Sequence, residues 1–256
     1  MELKEQIKSF WNKKPCGTFG IIPDDLNIEY FEKIRARRYR LEPFIFDIVK
    51  FNETKNKKIL EIGCGIGIDG IEFANNGADY TGIDLSAKSI DTCKKNFELY
   101  NQVGNIINMD AENLLFENDS FDIIYSWGVL HHTPDMQKAI DEIYRVLKPE
   151  GKVIIMMYNR YSLVGLQLYI LHGLLKLKPF INWNDLFYNH HESIATKALT
   201  DHETKILFNK FKDVKMQNIV TPYDMRITRN KFMPKCFKKL IPHKYGFFRV
   251  ITAKKF

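Results

Sequence analysis

The chain has 256 residues, enough to bury a full core, and its 45% apolar and 27% charged residues exclude a disordered or fibrous chain. Four scattered cysteines (Cys16, Cys64, Cys93, Cys236) form no CxxC pair, which argues against a disulfide framework or a cysteine zinc site and suits a reducing compartment. The net charge of +7 is uneven: residues 225–256 carry ten Lys/Arg and no acid, whereas residues 1–224 carry 28 basic and 31 acidic groups. Such a basic end reads either as a site for an anionic partner or as a solvated face. The start, Met1-Glu-Leu-Lys-Glu-Gln, lacks the apolar run of a signal peptide. The greasiest stretch, Leu163–Leu175, is interrupted by Gln167 and His172 and is shorter than the roughly 20 residues that span a bilayer. A cytoplasmic protein with no membrane span is therefore expected.

In chain order, the pattern predicts a short helix over 1–12, a charged helix from Ile28 to Arg40 and another from Pro43 to Phe51. A strand follows at Lys58–Ile62, then a glycine-rich loop and a helix over 67–75. Next come a strand at Tyr80–Ile83, a helix at Ala87–Leu99, strands at Ile106–Met109 and Phe121–Ser126, a helix at Met136–Val146 and a strand at Lys152–Tyr158. Strands alternating with helices predict a parallel, doubly wound sheet. The alternation stops over 159–200, which holds an apolar helix (Tyr161–Leu177) and a polar His/Asn/Trp-rich stretch. It resumes with a helix over 203–211 and strands over 214–220 and 245–253. The stretches 159–200 and 221–243 read as insertions at the carboxyl edge of the sheet, where ligands bind in such folds. Apolar residues nearly all round the 161–177 helix predict a buried helix or lid.

The strongest local signal is Leu60-Glu-Ile-Gly-Cys-Gly-Ile-Gly-Ile-Asp-Gly70. Glycines at 63, 65 and 67 let the chain turn sharply out of a strand and approach a ligand, with the next helix aiming its first amides at it. Gly65-x-Gly67-x-x-Gly70 formally fits a dinucleotide fingerprint, so an NAD(P) oxidoreductase is one reading. Glu61 argues against it, because a carboxylate opposes a pyrophosphate but favours a cationic ligand. Asp84, 21 residues after Gly63, ends the second strand, where a carboxylate accepts hydrogen bonds from a ribose diol. Its alternative role is a helix cap, a role that suits Ser86 better.

Ile59-Leu-Glu-Ile-Gly-Cys-Gly-Ile-Gly67 and Tyr80-Thr-Gly-Ile-Asp-Leu-Ser86 resemble the first two motifs of class I S-adenosylmethionine-dependent methyltransferases. Met109–Phe116 resembles the loop after the third strand, Phe121–Asp135 the fourth strand and acceptor-facing loop, and Tyr144–Gly151 the helix-to-strand turn, with Gly151 suited to a positive φ. The resemblance covers about Lys57–Tyr158. It implies S-adenosyl-L-methionine as cofactor, with Glu61, Gly63, Cys64, Gly65, Gly67, Asp84, Leu85 and Ser126 around it, Asp110 at the adenine amino group and Ala111 at the ring. Phe10–Thr18 and Arg35–Pro43 resemble a narrower group of bacterial small-molecule methyltransferases in which such a segment covers the cofactor. There Trp11 would pack over the methionine chain and Arg37, Arg38 or Tyr39 would meet its carboxylate. Otherwise Trp11 is a staple into the core and the arginines a solvated helix face.

For methyl transfer, alignment supplies a large share of the acceleration, and a neutral hydroxyl also needs a base, whereas an anionic oxygen needs only positioning. His131 and His132 stand where a base belongs, although one of such a pair commonly bonds backbone. Tyr158 and Arg160, after the fifth strand, and Arg226 and Arg229, in the basic segment, are candidates for the acceptor. His190, His191 and His202 are too loosely spread for a metal site, and no metal is expected. Ser126-Trp-Gly-Val does not resemble the signature of base N-methyltransferases, so no nucleic-acid partner is expected. A lipophilic, quinone-like acceptor and a non-catalytic cofactor-binding module are the other readings.

The expected fold is α/β, a doubly wound, mostly parallel seven-stranded sheet whose last strand is antiparallel by resemblance. One domain over 1–256 is expected, with an N-terminal helical cover (1–55), a cofactor-binding core (56–158), an acceptor lid (159–200) and C-terminal strands with the basic segment (201–256). The expected function is methyl transfer from S-adenosylmethionine to a small polar or anionic metabolite, O-methylation above N- or C-methylation.

Overall fold

The computed structural model describes residues 2–18, 23, 25–193, 195–228, 231–234, 238 and 240–256, apart from the side chains of 227, 228, 231 and 232. Three helices lead in: α1 (Leu3–Lys13), α2 (Ile28–Leu41) and α3 (Ile45–Val49). The alternating core follows as β1 (Lys58–Ile62), α4 (Ile68–Asn75), β2 (Asp79–Asp84), α5 (Ala87–Leu99), β3 (Asn105–Asn108), β4 (Phe121–Trp127), α6 (Met136–Val146) and β5 (Leu147–Tyr158). Then come α7 (Leu163–His172), α8 (Trp183–His190), α9 (Asp201–Leu207), β6 (Lys212–Ile219), the short hairpin β7 (Arg226–Thr228) and β8 (Lys231–Phe232), and β9 (Phe248–Lys254).

The main sheet has the order β3-β2-β1-β4-β5-β9-β6. The first five strands run parallel, and β9 lies antiparallel between β5 and β6. This confirms the expected doubly wound sheet and the antiparallel final strand. Because side chains alternate along a strand, β5 sends Ile154, Met156 and Tyr158 into one core and Val153, Ile155 and Met157 into the other. Burial on both faces is why these strands read as unbroken apolar runs. The chain reverses direction across the sheet between β1 and β4, so their carboxyl ends open the crevice that holds the site.

Local chemistry sets several element ends. Ser86 caps α5 by accepting from the Ser89 amide at 3.1 Å, and Asp135 caps α6 through the Lys138 amide at 3.0 Å. Thr200 and Glu203 form a reciprocal capping box at α9. Three expectations are corrected. The positive φ in the turn into β5 belongs to Glu150 (60°), not Gly151. Gly151 is needed for space, since a Cβ there would lie 2.7 Å from the Lys148 carbonyl oxygen. The helix expected to reach Leu177 stops at His172, because the chain turns tightly at Gly173, whose amide still bonds the Tyr169 carbonyl at 2.8 Å. Its faces also differ from the buried helix expected: Val164 and Leu168 are buried, but Leu166, Ile170 and Leu171 are exposed. Helix α8, within the polar stretch, was not foreseen; Leu186 and Phe187 anchor it in the core.

Candidate active site

At the end of β1 the amides of Gly63 and Cys64 both donate to the Ile83 carbonyl, at 2.7 and 2.9 Å, which turns the chain across β2. Gly63, Gly65 and Gly67 all have positive φ. A Cβ at Gly63 would lie 2.2 Å from Val129 and one at Gly67 2.6 Å from the Cys93 sulfur, so packing demands glycine at both. At Gly65 a Cβ would meet nothing within 4 Å, so this bend faces open space. Beside it, Asp84 accepts from the Gly65 amide at 3.0 Å and the Ser86 amide at 2.8 Å. One hydrogen bond per carboxylate oxygen leaves acceptor capacity on both for a diol. Burial raises the Asp84 carboxyl to about 6, against the lowering effect of the two amides. An open bend at Gly65 beside a carboxylate with spare acceptor capacity fits the adenosine portion of the expected cofactor. Cys64 and Ala111 are buried and Leu85 is half-buried at this edge. Ser126 is also buried, and its hydroxyl donates to the Ile62 carbonyl at 3.0 Å, tying β4 to β1.

Beneath the loop lies a buried ionic network that has no local signal in the sequence. Arg38 bonds Glu42 and Asp69, each at 2.7 Å. Asp69 also accepts from Tyr39 at 2.9 Å and Tyr125 at 2.7 Å, and Glu42 accepts from the Trp127 indole at 2.8 Å. Arg35 pairs with Glu72 at 2.5 Å. Arg38, expected either at the cofactor carboxylate or on a solvated face, is thus paired with two buried acids of this chain. Glu61 accepts from the Tyr80 hydroxyl at 2.6 Å and is 4% exposed. Burial, and then the Asp69 charge, push its carboxyl well above the usual range.

Helix α1 lies along the same edge. Lys4 pairs with Asp110 at 2.7 Å and Glu112 at 2.6 Å, and Asn12 accepts from the Ser86 hydroxyl at 2.8 Å. The second Asp110 oxygen accepts from the Glu112 amide at 2.9 Å. The Trp11 ring stands edge-on to His132 at 5.1 Å, so it reaches the loop after β4.

That loop separates the two candidate histidines. His131 is fully buried against the Tyr158 ring at 3.8 Å, and neither of its ring nitrogens has a hydrogen-bond partner. Burial, then the neighbouring His132 and His191, hold its pKa well below the usual value. The Nδ1 of His132 lies 2.9 Å from the Ser193 hydroxyl and 3.2 Å from that of Thr196. Its Nε2 lies 3.4 Å from Glu192 and has no hydrogen-bond partner. Tyr158 donates to the same Glu192 oxygen at 2.8 Å. Burial pushes the Glu192 carboxyl up, but His132, His191 and Tyr158 outweigh it and hold it at about 2. Ligand-type atoms of His131, His132 and Glu192 lie within 4.8 Å of one another, a cluster whose chemistry could also hold a metal ion. Glu192, Ser193 and Thr196 had no signal of their own in the sequence; only the return of the chain after α8 brings them to His132.

The candidate cations for the acceptor are Arg160, Arg226 and Arg229. Arg160 bonds the Ala198 carbonyl at 3.0 Å and Glu203 at 2.7 Å, bracing β5 against α9. Arg249, one of the ten basic residues at the end of the chain, is 1% exposed and bound by Asp201, Asn159, Asn218, Thr204 and the Leu199 carbonyl. Arg226 is exposed, and its carbonyl accepts from Gln167 at 2.8 Å. Arg229 lies outside the described residues.

Residues 60–155 match a family model described as a methyltransferase domain. The chain is 30% identical over 182 residues to a ubiquinone biosynthesis O-methyltransferase of Bartonella tribocorum, covering 66% of this chain and 73% of that protein. It is 35% identical over 117 residues to the protein of the same name from Coxiella burnetii, covering 43% of this chain and 50% of that one. The chain thus spans about half the length of the Coxiella relative. In fold it is similar to magnesium protoporphyrin IX methyltransferase of Synechocystis PCC 6803 with bound S-adenosylmethionine, with a TM-score of 0.60, 13% identity and coverage of 100% and 98% of the two chains.

Proposed function

The chain belongs to the class I S-adenosylmethionine-dependent methyltransferases, and we propose that it methylates a hydroxyl oxygen of a small acceptor with His132 as general base. The observation that carries this reading is the setting of the His132 ring. Its Nδ1 lies against the Ser193 and Thr196 hydroxyls and its Nε2 lies 3.4 Å from Glu192, so a proton on either nitrogen has a partner. The ring is therefore suited to take a proton from an acceptor hydroxyl. Glu192, 3.4 Å away, stabilises the imidazolium once it forms, and Tyr158 fixes the carboxylate. S-adenosylmethionine supplies a methyl group on a sulfonium, already a good leaving group. The residues need only align the acceptor and remove its proton. An anionic acceptor is the poorer fit, because Glu192 would repel it while Arg38, Arg160 and Arg249 are already engaged by acids of the chain.

A second reading, a hydroxyl on an apolar molecule, is supported by the exposed leucines of α7 and by the printed names of the two relatives. One screen tests both: S-adenosylhomocysteine release with sugar or polyol hydroxyls, hydroxylated quinones, carboxylates and amines. Turnover of hydroxyl compounds supports the proposal, and turnover confined to amines or carboxylates overturns it. Turnover that withstands a strong chelator separates a histidine base from a metal held by the same cluster.

Asp84 gives a pH-dependent expectation for the cofactor. Hydrogen bonds from a ribose diol favour the carboxylate, so binding lowers a pKa that stands at about 6 in the free protein. Affinity for S-adenosylhomocysteine should be flat above that value and weaken as pH falls below it, towards about tenfold per unit. Asp84→Asn should weaken binding by about 10- to 150-fold (about 1.5–3 kcal/mol) well above pH 6 and remove the slope. Titration calorimetry showing the wild-type slope in the variant would assign the effect to another group.

A further inference from the structure

Helix α7 and the turn that leads from it to α8 present an apolar surface to solvent. Leu166, Ile170 and Leu171 are exposed along α7, and Leu174 and Leu175 follow them in the turn after Gly173. Residues 174–180 are all exposed, and Leu177 and Phe180 reach 90% and 97% exposure. Exposed apolar residues scattered singly are ordinary; a continuous group of this kind marks a contact surface.

The tip is a built feature. The Lys178 amide bonds the Gly173 carbonyl at 2.8 Å, the Leu177 amide that of Leu174 at 3.0 Å and the Ile181 amide that of Lys178 at 3.1 Å. Tyr169 donates to the Pro179 carbonyl at 2.9 Å and stacks on Trp183 at 5.3 Å. Leu177 sits at φ 55°, a region that residues with a Cβ rarely adopt. The turn thus holds its apolar side chains outward.

Charge selects the partner. Lys176 and Lys178 flank the exposed leucines, and the sequence holds no acid from Gly151 to Asn184. A second acid-free stretch, residues 225–256, begins beside it, where the Gln167 side chain bonds the Arg226 carbonyl. Apolar side chains interleaved with lysines, in a stretch of chain without acids, match the boundary between acyl chains and anionic headgroups. We propose that the α7–α8 tip docks on the surface of an anionic phospholipid bilayer, with Leu175, Leu177 and Phe180 inserted and Lys176 and Lys178 at headgroup level. This is a peripheral contact: among the described residues no helix is long and apolar enough to cross a membrane.

The test is flotation of the full chain with phosphatidylcholine vesicles, with and without phosphatidylglycerol. The expected result is binding that needs phosphatidylglycerol and weakens with salt. The double variant Leu177→Asp/Phe180→Asp should lose about tenfold or more of its vesicle partition. Lys176→Gln/Lys178→Gln should lose about tenfold in the anionic vesicles only. Unchanged S-adenosylhomocysteine affinity would show that the variants are folded, and would do so whether or not the hydroxyl acceptor is right. Failure of the wild type to float with anionic vesicles overturns the proposal. So does a concentration-dependent dimer that Leu177→Asp/Phe180→Asp abolishes, because the face would then belong to a second copy.

Discussion

Exchange of His132 for glutamine should lower kcat by about 10²–10⁴, the usual contribution of a positioned general base. Glutamine can still bond Ser193 and Thr196, so S-adenosylhomocysteine affinity should stay close to that of the wild type. Glu192→Gln removes the charge that stabilises the imidazolium and should cost about 10- to 150-fold in kcat, the value of one charge-assisted hydrogen bond. His131→Gln should affect the rate much less, since that ring is sealed against Tyr158. Steady-state kinetics on all three variants decide the assignment. Collapse on changing His131, with His132→Gln near wild type, would reverse the roles.

Arg38→Met should be the most destabilising single change in the cofactor half of the molecule. It leaves Glu42 and Asp69, 4% and 5% exposed, without their shared cation. Removing one partner of a buried ion pair costs about 3–5 kcal/mol. Against the cost of its burial, Arg38 and then the Tyr125 and Tyr39 hydroxyls hold the Asp69 carboxyl below its ordinary value. The wild-type contribution is therefore present above the ordinary carboxyl range and is lost as pH falls through that depressed value. In the variant, burial is no longer opposed by a cation, and the acids take up protons at higher pH. The deficit should then be largest near neutral pH and shrink on acidification, as seen by urea unfolding. Adding Asp69→Asn should recover part of the loss. A deficit below about 1 kcal/mol, or one indifferent to pH, would show that the network contributes little.

The sheet and the cofactor edge were legible because their signals are local. The apolar run Lys58–Ile62, the three glycines after it and Asp84 at the end of the next strand each depend on residues within one β–α–β unit. The bounds of β1, α5 and α6 match the expected ones for the same reason: a cap, a period and a break lie together in the chain. Periodicity also separated 159–200 from the core, since a segment outside the sheet need not keep the sheet's rhythm.

Tertiary structure decided the use of each charged side chain. Arginines on a helix look alike in sequence whether they face water or a buried acid, and only packing α2 against α4 turned Arg38 to Asp69. Two adjacent histidines on one loop are equivalent in sequence, yet burial under Tyr158 and contact with Glu192 give them different chemistry. The partners of His132 lie about 60 residues further along, and a contact over such a distance leaves no local pattern to read. Apolar residues all round α7 pointed to burial, because hydrophobicity alone does not say whether a second layer exists to cover the outer face. The sequence by itself determined the fold and the identity of the cofactor; the folded chain determined which histidine is set beside a carboxylate, which cations are already neutralised and which apolar face is left outside.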